Sequence, residues 1–129
     1  MSPEKKIFQD RYLVLLKNDV MELYERIVER QDEYIEFFSL HREREGFKEV
    51  FRNRFSEATM FDLSHLPVEV IELSHDFYKV IDDIYWYIMH TQDMPNTIQD
   101  TLVKRLGPLK KKYQNLIFYI DASLSNRTE

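Results

Sequence analysis

Glu72 and His75 have a spacing that could support metal chemistry, because Glu-x-x-His occurs in the carboxylate-bridged di-metal sites of helical bundles. Such sites need two of these motifs and two further glutamates, all facing the bundle interior. This sequence has one motif, and helical phase places Glu72 on the polar face of its helix. We therefore expect no metal site and no cofactor, with Glu72 in solvent and His75 at the edge of the polar face.

Ser74, His75 and Asp76 form a Ser-His-acid triplet on the same stretch. The triplet resembles the phospho-accepting H-box of sensor histidine kinases, which lies on the first helix of a dimerising hairpin. The resemblance implies a histidine phosphotransfer function, with His75 as the phospho-acceptor and Asp76 beside it as a base. Residues 78–80 (Tyr-Lys-Val) stand where that family usually has a proline, and the sequence contains no ATP-binding domain. The alternative is a half-buried histidine that forms a hydrogen bond near a helix end.

Three consecutive aromatic residues, at positions 85–87, cannot all face one core. Helical phase points Tyr85 inward and puts Trp86 on the polar side. A large aromatic side chain with a polar rim is typical of an anchor for a protein partner. We therefore predict a protein-binding surface made of Lys79, Asp83, Trp86, Tyr87 and His90. The alternative is that the first helix or the segment 47–63 covers both Trp86 and Tyr87.

Charge is unevenly distributed along the chain. Residues 57–100 carry one lysine against nine acidic residues, whereas residues 101–129 carry six basic and two acidic residues. Charge complementarity would favour packing of the central helix against the last helix. Alternatively, the basic residues of the last helix form an anion-binding patch made of Lys104, Arg105, Lys110, Lys111 and Lys112.

Composition excludes several functional classes. The net charge of −5 argues against general nucleic-acid binding. The absence of cysteine excludes disulfides and thiolate nucleophiles and suits a reducing compartment. No stretch approaches the ~18 uncharged apolar residues of a membrane span, and the charged N-terminus does not resemble a signal peptide. We expect a cytoplasmic protein that binds neither membrane nor nucleic acid.

Helices must position these residues, because apolar residues recur at helical spacing through most of the chain and strand-like alternation is nowhere sustained. We predict a single all-α domain, 1–129, folded as an antiparallel bundle of three long helices and one short helix. The predicted helices cover residues 3–45, 47–58, 66–92 and 97–123. Ser2 is the predicted cap of the first helix, and residues 125–129 are predicted to fray.

The central helix has an unusually wide apolar face, which places it in the middle of the bundle. Its first stripe consists of Val70, Leu73, Phe77, Ile81, Ile84 and Ile88, and its second stripe of Ile71, Tyr78, Tyr85 and Met89. The apolar register of the last helix continues across Gly107-Pro108. Because proline removes one backbone hydrogen bond, we predict a kink there rather than two helices.

After Pro3 the first helix has no glycine or proline before Gly46, so it could run for about 40 residues. Its apolar rows extend beyond the length of the central helix, which makes dimerisation through this helix plausible. The alternative is a bend near Asn18-Asp19 or Gln31-Asp32, with the whole face buried in one monomer.

The favoured function is therefore non-catalytic: an adaptor or regulatory protein that binds an unidentified protein or itself. The sequence has no glycine-rich phosphate loop and no Gly-x-Ser-x-Gly motif. A histidine phosphotransfer bundle using His75 is the alternative.

Overall fold

The computed structural model describes residues 3–41 and 43–125. Within these ranges the regular structure is helical and contains no strand, which confirms the predicted all-α class. None of these helices is long and apolar enough to cross a membrane. The predicted cap Ser2 and residues 126–129 of the predicted frayed tail lie outside the described residues.

The helices differ in length from those predicted in the first half of the chain and agree closely in the second half. Their bounds are α1 Pro3–Tyr24, a π-helical turn Glu25–Glu29, α2 Gln31–His41, α3 Gly46–Val50, a 3-10 turn Phe55–Glu57, α4 Met60–Leu63, α5 Val68–His90 and α6 Pro95–Ser125.

The predicted uninterrupted helix 3–45 is wrong, because a π-helical turn separates α1 from α2 and α2 ends at His41. Arg30 leaves the helical conformation (φ −107°, ψ 23°), and its backbone N–H donates to the Glu25 carbonyl over 3.2 Å. The buried Tyr34 hydroxyl donates to the Ile27 carbonyl over 2.6 Å. This bond satisfies a carbonyl in the disturbed turn and so lowers the cost of interrupting the helix. The interruption lies beside Gln31, at one of the two positions considered for a bend.

The predicted helix 47–58 is also wrong, because α3 ends at Val50 and only the 3-10 turn follows before residue 58. Arg26 provides a physical reason. Its Nε donates to the Val50 carbonyl over 3.2 Å, and its Nη2 donates to the Arg52 carbonyl. These side-chain bonds satisfy carbonyls that further helical turns would otherwise use. The short helix α4 then forms inside the predicted connection, with a capping box between Thr59 and Asp62.

The segment 43–67 runs back along α5. Phe51 packs on Tyr85 with ring centroids 5.3 Å apart, and Phe55 stacks on Tyr78 at 4.1 Å. Increasing residue numbers in the segment therefore meet decreasing numbers on α5. This segment contains little regular helix, and aromatic contacts with α5 hold it in place.

The predicted apolar face of α5 is confirmed at most positions. Of its first stripe only Leu73 is half-buried, and the other members are buried. In its second stripe Tyr78 is buried, and Ile71, Tyr85 and Met89 pack against the core. Both sides of this face are thus covered, and the polar face remains in solvent.

Helix α6 is one helix through Gly107-Pro108, as the continuous register predicted, and its bend at that point stays a prediction. Four residues, 91–94, join it to α5. The two helices pack along each other, so they form an antiparallel hairpin. The buried positions of α6 are Pro95, Ile98, Leu102, Leu106, Leu109, Leu116 and Ile120.

Helix α1 covers the inner side of this hairpin. Lys17 Nζ lies 2.7 Å from Asp121 Oδ1 of α6, and the rings of Tyr24 and Tyr113 stack at 3.9 Å. Tyr78 of α5 donates to Asp19 Oδ2 over 2.6 Å. The outer side of the hairpin is left exposed, and it carries the candidate site.

Candidate functional site

A cleft of about 650 Å³ opens where α5 ends and α6 begins. Its lining residues are Asp83, Trp86, Tyr87, His90, Thr91, Asp93, Thr101 and Arg105. Four of the five predicted binding residues are among them, and the fifth, Lys79, lies on α5 outside the lining. The cleft residues come from two helices and the link between them, so closure of the hairpin assembles the cleft.

Trp86 lies at the rim of the cleft, and 65% of its surface is exposed. Its ring stacks on His90 with centroids 4.5 Å apart and an interplanar angle of 18°. His90 Nδ1 lies 2.9 Å from the Trp86 carbonyl oxygen, so this bond requires the proton on Nδ1. The alternative in which another segment covers Trp86 is therefore wrong for this residue. One face of the indole rests on His90.

Tyr87 is half-buried, and helix α6 covers it rather than α1 or the segment 47–63. Its hydroxyl donates to Asp93 Oδ2 over 2.5 Å and lies 3.3 Å from Thr101 Oγ1. The Arg105 guanidinium carbon lies 5.1 Å from the centroid of the Tyr87 ring, in cation–π geometry. These contacts fix the ring against the start of α6, where it lines the cleft beside the exposed indole.

The interhelical link adds further polar contacts that the sequence interpretation did not include. The Asp93 backbone N–H donates to Thr91 Oγ1 over 3.1 Å, which tightens the turn that presents the Asp93 carboxylate to Tyr87. Residue type and spacing place Arg105 in the basic cluster and distinguish neither Asp93 nor Thr101 from other polar residues. The signal that could have found them is the four-residue link, since a link so short places the start of α6 beside the end of α5.

The polar face of α5 carries unneutralised acidic charge. Its exposed charged residues are Glu69, Glu72, Asp76, Lys79, Asp82 and Asp83. Partial burial, followed by the negative charge of Asp83, raises the pKa of the Asp82 carboxyl above its ordinary value. Helices α5 and α6 do pack together, but none of the ion pairs among residues 3–41 and 43–125 joins them. Even Asp83 and Arg105, which line one cleft, are not ion-paired.

The H-box-like triplet is divided between core and solvent. Ser74 is fully buried, and its hydroxyl has no hydrogen-bond partner in the described structure. His75 and Asp76 are both exposed, so His75 is not the half-buried residue of the alternative interpretation. Glu72 is also exposed. In the part of the chain that the structure describes, no group of three His, Asp or Glu side chains is placed to hold a metal ion.

The basic cluster spreads around α6 instead of converging on one point. Lys104 and Lys111 are seven residues apart and share a row, whereas Lys110 is rotated by about 100° from Lys111. All three are exposed, and Lys112 is half-buried. Anion binding by the cluster stays a prediction.

Comparisons with protein-family models, with curated proteins and with solved structures find no match to this chain. The function has to be argued from the geometry of the cleft and of the helices that form it.

Proposed function

We propose that this chain is a non-catalytic adaptor or regulatory protein that acts in the cytoplasm by binding another protein, or a second copy of itself, at the outer side of the α5–α6 hairpin. The supporting observation is the exposed Trp86 at the rim of the cleft. An indole in solvent has a large apolar area to bury, while the surrounding polar groups can form a rim. The lack of cysteine supports the reducing compartment.

The geometry supports an anchoring role for Trp86 rather than a folding role. Its ring contacts His90 on its own helix, and the core residues Ile84 and Ile88 are buried on the opposite side. Removing an interface anchor typically costs about 2 kcal/mol or more of binding free energy. Removing a tryptophan from a core costs about 3–5 kcal/mol of folding free energy. The two roles therefore give opposite results in one experiment.

Trp86→Ala tests the proposal. In dilute protein, where self-association adds nothing to stability, we expect the melting temperature to stay close to that of the unchanged protein. We expect the capture of the partner in a pull-down at native expression to be lost. Phe61→Ala is the matched control, because Phe61 is a similarly exposed aromatic (71%) at the other end of the molecule. Loss of binding with both variants, or a large fall in melting temperature with Trp86→Ala alone, would contradict the proposal.

We further propose that α1 with α2, α5 and α6 act as the three long members of an antiparallel bundle, with α3 as the short member. Such a bundle would hold the cleft as a rigid docking surface. The homodimer through the first helix also stays a proposal. Exposed apolar side chains on α1 support it, including Leu15 and Met21. Light scattering at several concentrations tests it, and a mass of 15.8 kDa throughout would rule it out.

A histidine phosphotransfer function is the alternative proposal, supported by the exposure of His75 beside Asp76 on the first helix of a hairpin. Incubation with acetyl phosphate should then label the protein at His75 with an acid-labile phosphoryl group. His75→Asn should abolish the label, whereas His90→Asn should retain it. A chain that takes up no label would leave the adaptor proposal alone.

A further inference from the structure

The outer side of the α5–α6 hairpin carries two opposite charges side by side. At about 100° per residue, four exposed acidic residues of α5 lie within about 60° of one another on the arc between Trp86 and Tyr87. They form the acidic surface, defined here as Glu69, Glu72, Asp76 and Asp83, and Lys79 lies between them and Trp86. The basic residues of α6 on the outer side of the hairpin form the basic surface, defined here as Lys104, Arg105, Lys111 and Lys112. Helix α6 has no acidic residue between positions 101 and 120.

The two surfaces lie at the same height along the hairpin. Asp83 and Arg105 line the same cleft, and the helices run antiparallel. Seven residues back along α5 and seven forward along α6 lead to Asp76 and Lys112, which are therefore also level. None of these residues forms an ion pair within the described chain. Each surface is thus available to an opposite charge on another molecule.

We propose that the partner bound at this face is a second copy of the chain, with the acidic surface of each copy against the basic surface of the other. This inference rests on the proposed function and names its partner. A twofold axis parallel to the helices places α5 of one copy opposite α6 of the other. The heights are preserved by that rotation, so Asp83 faces Lys104 and Arg105 of the second copy, and Asp76 faces its Lys111 and Lys112.

The same rotation gives Trp86 a place in the interface. Tyr87 contacts Thr101 and Arg105, so Trp86 is level with the start of the basic surface. Its exposed indole then lies against Lys104 of the second copy, a cation–π contact. An isologous dimer makes every such contact twice, so each pair contributes twice to the free energy of association. A partner of any other sequence would need both charge patterns in the same register, and this chain already has them.

The first measurement is the mass of the unchanged protein by sedimentation equilibrium. At ~0.05 M salt we expect a concentration-dependent rise toward twice 15.8 kDa, and at ~0.5 M salt a return to 15.8 kDa, because salt screens exposed charges beyond a few ångströms. A mass of 15.8 kDa at all concentrations in low salt overturns the inference.

Charge reversal identifies the surfaces. Lys104→Glu combined with Lys111→Glu should weaken dimerisation by at least about tenfold, as should Asp76→Lys combined with Asp83→Lys. Lys110→Glu is the matched control, since Lys110 is exposed on the same helix but is turned away from this face. An equal mixture of the two double variants should form a heterodimer tighter than either homodimer. A mixture that stays monomeric, or a loss with Lys110→Glu as large as with the double variant, refutes the proposed faces.

Two further outcomes separate this inference from the other proposals. A dimer that ignores salt and charge reversal but is lost in Leu15→Glu lies on α1 and overturns the inference. A protein that stays monomeric, yet captures a different protein in a manner that needs Trp86, also overturns it while the proposed function stands. A salt-sensitive dimer that is lost with Trp86→Ala supports both. Circular dichroism confirms that each variant remains helical before its mass is interpreted.

Discussion

Asp82 occupies an unfavourable position for a charged group on α5. Partial burial and the adjacent Asp83 raise the pKa of its carboxyl, so the folded protein binds this proton more tightly than the unfolded chain does. The stability that the protonated Asp82 carboxyl allows is therefore fully present at acid pH, and it is lost as the pH rises through the raised pKa. At neutral pH the ionised carboxylate weakens the fold.

Asp82→Asn should accordingly raise the melting temperature at pH 7 and leave it unchanged at about pH 3, where the carboxyl is protonated in both states. Thermal melts followed by circular dichroism at the two pH values measure the difference. Asp76→Asn makes the same charge change on the same helix and is the control. An equal gain from Asp76→Asn would show that the cause is the total charge of the helix and not the surroundings of Asp82.

Helical phase predicted that Trp86 lies on the surface, but it did not predict the polar residues that line the cleft with it. Phase alone places Trp86 on the polar side of α5, and its exposure agrees with that. Asp93 and Thr101 contact Tyr87 only because the chain reverses between α5 and α6. A hydrogen bond across such a reversal depends on the angle between two helices, which residue spacing along one helix does not determine.

Among the helices, one buried hydroxyl forms a hydrogen bond to the interruption between α1 and α2. Burial raises the pKa of Tyr34 above the usual range for tyrosine, so the hydroxyl stays protonated and donates to the Ile27 carbonyl. Tyr34→Phe leaves that carbonyl unsatisfied and should cost about 1–3 kcal/mol of unfolding free energy. Urea unfolding measures the loss. Tyr119→Phe, at an exposed tyrosine, should change stability by less than about 0.5 kcal/mol, and similar losses at both positions would contradict the role of Tyr34.

Gly107 weakens the middle of α6 without a packing role. A Cβ added there meets no atom within 4 Å, so Gly107→Ala should increase the unfolding free energy by about 1 kcal/mol. Gly46→Ala is the comparison, because Gly46 begins α3 and a Cβ there meets the Phe37 ring at 3.5 Å. A loss of stability with Gly107→Ala would mean that α6 needs the glycine for its bend at Pro108.

Helix α5 and helix α6 could be predicted because their apolar spacing is determined within each helix. The break at Glu25–Glu29 and the early end of α3 could not, since both coincide with side-chain hydrogen bonds to the backbone that apolar spacing does not reveal. Tyr34 acts across seven residues and Arg26 across more than twenty, and both replace backbone bonds that a local pattern assumes. Uninterrupted apolar spacing is therefore a weaker guide to helix length than to helix orientation.

For the whole molecule, composition and periodicity predicted the helical class, and the charge distribution predicted that the central helix packs against the last helix, as it does. The acidic central helix and the basic last helix are neighbours, yet ion pairs within the described residues are found elsewhere, for example between Lys17 and Asp121. Sequence charge indicates which helices attract each other over a distance. It does not indicate whether the charges meet, because that depends on the rotation of each helix about its axis.

The exposure of Trp86 also allows its surface to be probed by tryptophan fluorescence. It is the only tryptophan in the chain, so the whole indole emission comes from the outer side of α5. The negative field of that helix should concentrate caesium and repel iodide. In dilute, monomeric protein we expect caesium to quench the emission more strongly than iodide, with neutral acrylamide unaffected by charge. The difference should shrink in Asp83→Asn, and equal quenching by the two ions would contradict a negative potential at the indole. The protein thus carries its own fluorescent probe of the surface on which its binding function is proposed.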